Sequence, residues 1–258
     1  MTPSAPNFQV RDLALPDRPR HGYIAQGSRG IVSFRGQGHP PPSAAGGRRT
    51  APVNLPRTVG LLIAVNIAVY LLQITMPPVW ERWVIFHLGF IPARWSLPGG
   101  LEWSAFAGPF SHQFLHGGTA HLFVNVIMLA AFGSGVERLL GGQRLMLMYL
   151  LSGGAGAAMH WVFYPEGVTP VVGASGAISG LFGAILRLMA KNPRVNGGFL
   201  RILPVVVIWL GIAVLTGFTG MPGAGEAQVA WAAHVGGFLF TLLLFDFFTF
   251  GAWPRRVD

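Results

Sequence analysis

Ser175 sits in the turn Gly173-Ala174-Ser175-Gly176 at the head of one apolar segment, and His234 stands near the head of another. Serine is a poor nucleophile unless a base within hydrogen-bond reach takes its proton. An imidazole, titrating at about 6.5, suits that task and can return the proton to a leaving amine. In the first turn of a helix a serine also carries unpaired backbone N–H groups, and the helix dipole there favours developing negative charge. His121 and Asn125 are four apart, on one helical face, and both can donate to an oxyanion. This residue set predicts acyl transfer by a Ser-His dyad. Asp246 lies about 18 Å further along the helix that carries His234, too far to orient its ring. The Gly-x-Ser-x-Gly elbow of soluble hydrolases is not matched.

Those residues must be positioned by membrane helices. The chain has 258 residues, is 52% apolar and only 10% charged, where a soluble domain carries about a quarter charged residues. Six segments approach the roughly 20 apolar residues a bilayer crossing needs: Thr58–Met76, Ala120–Leu140, Leu145–Phe163, Ser175–Ala190, Phe199–Phe218 and Val229–Phe250. The fourth is short, so one of its ends must face protein or water inside the hydrocarbon. Small residues let such helices pack closely: Gly176, Gly180, Gly183 and Ala184 on the fourth span, Ala233 and Gly237 around His234 on the sixth.

Charge sets the direction. Arginine dominates the segment up to Arg57, and Arg187, Lys191, Arg194 and Arg201 cluster between spans four and five. The long loop Pro77–Thr119 is balanced, and Glu166 and Glu226 make their loops negative. This alternation predicts an N-terminus in the cytoplasm, with spans two, four and six starting at the outer side. His121, Ser175 and His234 then share one shallow outer layer, within about 8 Å of depth. The +9 net charge is thereby topology, and no nucleic-acid partner is expected.

Residues 1–56, rich in Pro, Gly, Ser and Arg, read as a disordered basic cytoplasmic tail; 57–252 as one six-helix membrane domain; 253–258 as a short C-terminal tail. No apolar stretch near Met1 predicts a signal peptide. Cysteine is absent, which excludes disulfides, thiolate metal sites and cysteine catalysis. Without a carboxylate or cysteine cluster, His112 and His116 read as loop residues rather than zinc ligands, and neither metal nor cofactor is expected.

In this order and on these spans, the residues resemble the rhomboid intramembrane serine proteases. The resemblance runs from about Trp103 to Phe250 and rests on His116, His121 and Asn125, Gly173-Ala174-Ser175-Gly176, and Ala233-His234 with Gly237. It implies an all-α, six-transmembrane-helix bundle that cleaves transmembrane proteins within the bilayer; six spans with no additional one fit a bacterial inner membrane, with an organellar membrane as the alternative. Ser175 would be the nucleophile and His234 the general base and acid. His121, Asn125 and the Ser175 N–H would be the oxyanion donors, and His116 a structural residue. Gly173, Gly176 and Gly237 would support the site. The aromatics Trp80, Trp83, Trp95, Trp103, Phe106 and Phe110 resemble a loop lying sideways in the outer leaflet. Two departures stand out. Ala107-Gly108 replaces a Trp-Arg pair common in bacterial members, which removes the usual partner of Glu137. Ser179 stands where some members place a Tyr on the catalytic ring.

Other readings compete. Ser175 as a helix N-cap, and His121 with Asn125 as glue between helices, are the bland alternatives. Among functions, a proteolytically silent protein that binds transmembrane helices is the runner-up. A small transporter is third, lacking an inverted repeat between the halves.

Overall fold

The computed structural model describes residues 54–192, 198–219 and 230–250. The expected tails therefore lie outside the described residues, save for positions 54–56. From the N-terminus the helices are α1 (Arg57–Thr75), α2 (Pro78–Leu88), α3 (Ala93–Ser96) and α4 (Trp103–Ser111). A 3₁₀ turn, His112–Phe114, leads to α5 (Thr119–Met128), a π-helical turn (Leu129–Gly133) and α6 (Ser134–Leu140). Then come α7 (Gly142–Phe163), α8 (Ser175–Lys191), α9 (Gly198–Thr219) and α10 (Trp231–Thr249).

Five helical stretches among the described residues are long and apolar enough to cross a membrane: α1, α5 through α6, α7, α9 and α10. The sixth expected span is α8, whose 17 residues make about 25 Å of helix. It compensates by burial. Ala177, Leu181 and Ala184 are fully buried on it, and α8 packs against both α7 and α10, which also pack on each other. Its length fits a helix that meets protein rather than lipid on most sides.

A second structural centre is Glu137 in α6. Its carboxylate oxygens accept the N–H groups of Thr58 (3.0 Å) and Val59 (2.8 Å), two of the unpaired donors at the start of α1. Glu137 thus caps a neighbouring helix. The core beneath it packs Val59, Leu62, Leu129, Leu145, Met148, Tyr149, Leu181 and Phe245.

The loop Pro77–Thr119 is more ordered than an apolar-run reading suggests, because its segments are too short and too interrupted by Pro and Gly to register as spans. It folds as α2, α3, α4 and the 3₁₀ turn, with the six aromatics named above left exposed. An antiparallel bridge pairs Phe90 with Val171, at 3.0 and 2.8 Å, and ties this loop to the segment leading into α8. Gly108 explains the missing Trp-Arg pair. A Cβ there would lie 2.9 Å from the Gly89 carbonyl oxygen, so α4 seats on the chain after α2 only with glycine at that position.

Candidate active site

The turn before α8 is set by Gly173, whose φ of +120° is open chiefly to glycine. Its N–H donates to the His112 carbonyl at 2.9 Å, fixing the turn to the outer loop. Ala174 occupies the helix cap, and no side chain caps α8. Ser175 is therefore the first helical residue rather than an N-cap, and its hydroxyl is used elsewhere. Ser175 Oγ lies 2.7 Å from His234 Nε2, from the first turn of α8 to the first turn of α10.

Glycines make that approach possible. A Cβ on Gly176 would sit 3.2 Å from the Ala233 carbonyl oxygen, and one on Gly180 would sit 2.9 Å from that of Gly237. Gly237 abuts the Gly176 carbonyl oxygen, and Gly183 lies against Phe238. Backbones this close bring Ser175 and His234, one and three residues from the contact, into hydrogen-bond range. A bond from Ser152 to Thr241, at 2.6 Å and fully buried, holds α7 to α10 one layer below.

His121 and Asn125 converge on the same turn from α5. A Cβ on Gly173 would collide with the His121 ring, 2.7 Å from Nε2, and would lie 3.7 Å from Asn125 Nδ2. Glycine thus leaves room beside Ser175 with two donors at its edge. Asn125 Nδ2 is buried and makes no hydrogen bond, which argues against a role as interhelical glue. A buried amide without a partner is costly, and a ligand oxygen would relieve it.

The remaining histidines divide by surroundings. His116 is 2% exposed, and its backbone is clasped by Gln73, which accepts its N–H at 3.1 Å and donates to its carbonyl at 3.3 Å. Its ring stands edge-on to Tyr70 and to His121. His112 Nδ1 bonds the Gly108 carbonyl at 2.9 Å. Burial pushes both imidazoles down to about 4, so each is neutral near pH 7. No group of three or more metal-ligating side chains occurs among the described residues.

Asp246 sits at the opposite end of α10, where it pairs with Arg187 at 3.0 Å and with Lys191. Ser179 is buried in α8, and its side chain has no ring to stack on His234. Sequence reasoning passed over His160, Tyr164 and Trp231. The His160 ring packs on Tyr164, and the Tyr164 hydroxyl accepts the indole N–H of Trp231, three residues before His234. The signal was available: His160 is a titratable residue near the C-terminal end of span three, the end that leads through the next loop to Ser175.

A family model for the Rhomboid domain matches residues 103–249, which contain His116, His121, Asn125, Ser175 and His234. RHOMBOID-like protein 4 of Arabidopsis thaliana is 34% identical over 134 residues, covering 52% of this chain and 32% of its own. Rhomboid protease GluP of Bacillus subtilis (strain 168) is 36% identical over 125 residues, covering 48% and 22%. Inactive RHOMBOID-like protein 8 of Arabidopsis thaliana is 29% identical over 126 residues, covering 46% and 35%. The chain thus spans about a third or less of these relatives' length. With more than half of the chain matched and its helices long and apolar enough to cross a bilayer, this integral membrane protein belongs to the rhomboid family.

Proposed function

We propose that the protein is an intramembrane serine endopeptidase that cleaves transmembrane-helix substrates near the outer side of the bilayer. The observation that carries this reading is the 2.7 Å approach of Ser175 Oγ to His234 Nε2 across two helices packed through glycine. A purely structural serine in a membrane helix needs no base beside it.

Ser175 Oγ attacks the scissile carbonyl carbon and its proton passes to His234 Nε2. The carbonyl oxygen takes the negative charge, which the Ser175 N–H, the His121 ring and Asn125 Nδ2 stabilise. The C–N bond breaks as His234 returns the proton to the amine. Water then gives a proton to His234 and attacks the ester, releasing the new carboxyl group and restoring Ser175. His234 accepts at Nε2, so its neutral form carries the proton on Nδ1. A helical substrate hides its carbonyls in hydrogen bonds, so the bond to be cut must unwind before it reaches Ser175.

The charge alternation supports an N-terminus in the cytoplasm, with the site opening outward, as in a bacterial inner membrane. One relative's printed name, which calls it inactive, favours a second reading: a proteolytically silent member. A fluorophosphonate probe separates the two. Labelling of the purified protein that is lost in Ser175→Ala, with cleavage of a transmembrane substrate in liposomes lost in both Ser175→Ala and His234→Ala, is the expected result. An unlabelled wild type that leaves substrate intact would favour the silent member.

A further inference from the structure

His234 must be held at Ser175 without the stacked aromatic that Ser179 replaces, and the outer end of α7 offers a support. Trp231, the first residue of α10 and three before His234, donates its indole N–H to the Tyr164 hydroxyl at 2.8 Å. The Phe163 ring meets the same indole edge-on, with centroids 4.9 Å apart. The His160 ring packs on Tyr164 at 4.8 Å and 35°. One turn deeper, Gly236 abuts Met159, and a Cβ on Gly156 would sit 2.6 Å from the Ala233 carbonyl oxygen, so the two helices are in backbone contact on both sides of His234.

Resting on the dyad reading, we infer that His160, Tyr164 and Trp231 are positioning residues that lock the first turn of α10 and hold the His234 ring at Ser175. Tyr164 is the hinge of this support. It is exposed and follows the last residue of α7, and its hydroxyl accepts the Trp231 indole N–H, which ties the end of α7 to the start of α10. His160 acts as a plate behind the phenol. Its buried Nδ1 makes no hydrogen bond, so the ring contributes packing there rather than donation. Loss of this tether loosens the first turn of α10, so the His234 ring shifts from the serine while the contacts of Gly237 with Gly176 and Gly180 below it remain. The support therefore acts on the chemical step, not on substrate binding.

The test uses the full-length protein in liposomes, with Tyr164→Phe, Trp231→Phe, the double variant, His160→Ala and His160→Phe. The single Tyr164 and Trp231 variants should each lose about three- to tenfold in fluorophosphonate labelling rate and in kcat, the scale of one net hydrogen bond, with KM unchanged. The double variant should lose no more than either single one, because one bond is removed in all three. His160→Ala should lose a similar amount and His160→Phe should restore it. Wild-type labelling rates in Tyr164→Phe and Trp231→Phe would overturn the inference. So would additive losses in the double variant, or losses confined to KM. If the wild type itself is not labelled, the dyad reading fails first; if it is labelled and the variants match it, only the support is refuted.

Discussion

Gly237→Ala tests whether glycine packing sets the dyad. Its Cβ would meet the Gly176 carbonyl, with the carbonyl carbon at 2.8 Å and the Ser152 carbonyl oxygen at 3.0 Å. Ordinary contact begins at 3.4 Å, so the carbon alone demands a shift of about 0.6 Å, and the Gly176 oxygen, nearer still, demands more. These are backbone atoms, which cannot rotate away, so α8 and α10 must part. The Ser175–His234 distance of 2.7 Å then passes the roughly 3.2 Å limit of general-base reach. A misplacement on the order of 1 Å costs about a hundredfold in rate, and the overpacking costs about 1–3 kcal/mol in stability. Gly211→Ala on α9 is the control, because a Cβ there meets nothing within 4 Å. The assay is the fluorophosphonate labelling rate and substrate cleavage in liposomes, beside thermal unfolding in detergent. Wild-type turnover in Gly237→Ala, or equal losses in Gly211→Ala, would refute the argument.

Three further outcomes are expected. Asn125→Ala should lower kcat by about a hundred- to a thousandfold, the cost of one oxyanion donor, while thermal unfolding stays near wild type because the buried amide has no partner to lose. Glu137→Gln should destabilise the fold by about 1–3 kcal/mol by weakening two charge-assisted bonds to the start of α1; unfolding in detergent measures it, and kcat at permissive temperature should not change. His112 is held neutral by burial with its pKa pushed down to about 4, so the unfolded chain takes up the extra proton between pH 6.5 and 4. Stability should then fall with acidification through that window by about 1.4 kcal/mol per pH unit, and not further below it. Unfolding curves from pH 7 to 4 should be flatter for His112→Gln.

Much of the fold was legible because membrane spans announce themselves through length and apolarity. Arg57–Thr75 and Ser175–Lys191 differ from the sequence expectation by one residue at their ends. The pairing of Ser175 with His234 was legible because polar groups in such spans need a partner. The outer loop was not, since α2, α3 and α4 are organised by contacts such as Phe90 with Val171, which no periodicity encodes. The partners of Glu137 were not legible for a related reason: they are backbone N–H groups at the start of another helix, and only tertiary structure brings them near. Tyr164 and Trp231 were missed because each alone is an ordinary aromatic at a helix end.

The bridge between Phe90 and Val171, with the Gly173 N–H on the His112 carbonyl, also bears on how such a chain can diverge. The loop between α1 and α5 and the turn before Ser175 are laced together at two points, so a length change between them alters the register of Ser175 itself. Insertions should accumulate instead around Gly99, where φ is +78° and the surroundings are open. The stretch from Phe90 to Arg94, pinned by Ala93 N–H to the Gly167 carbonyl at 3.0 Å, should keep its length however far its residues drift.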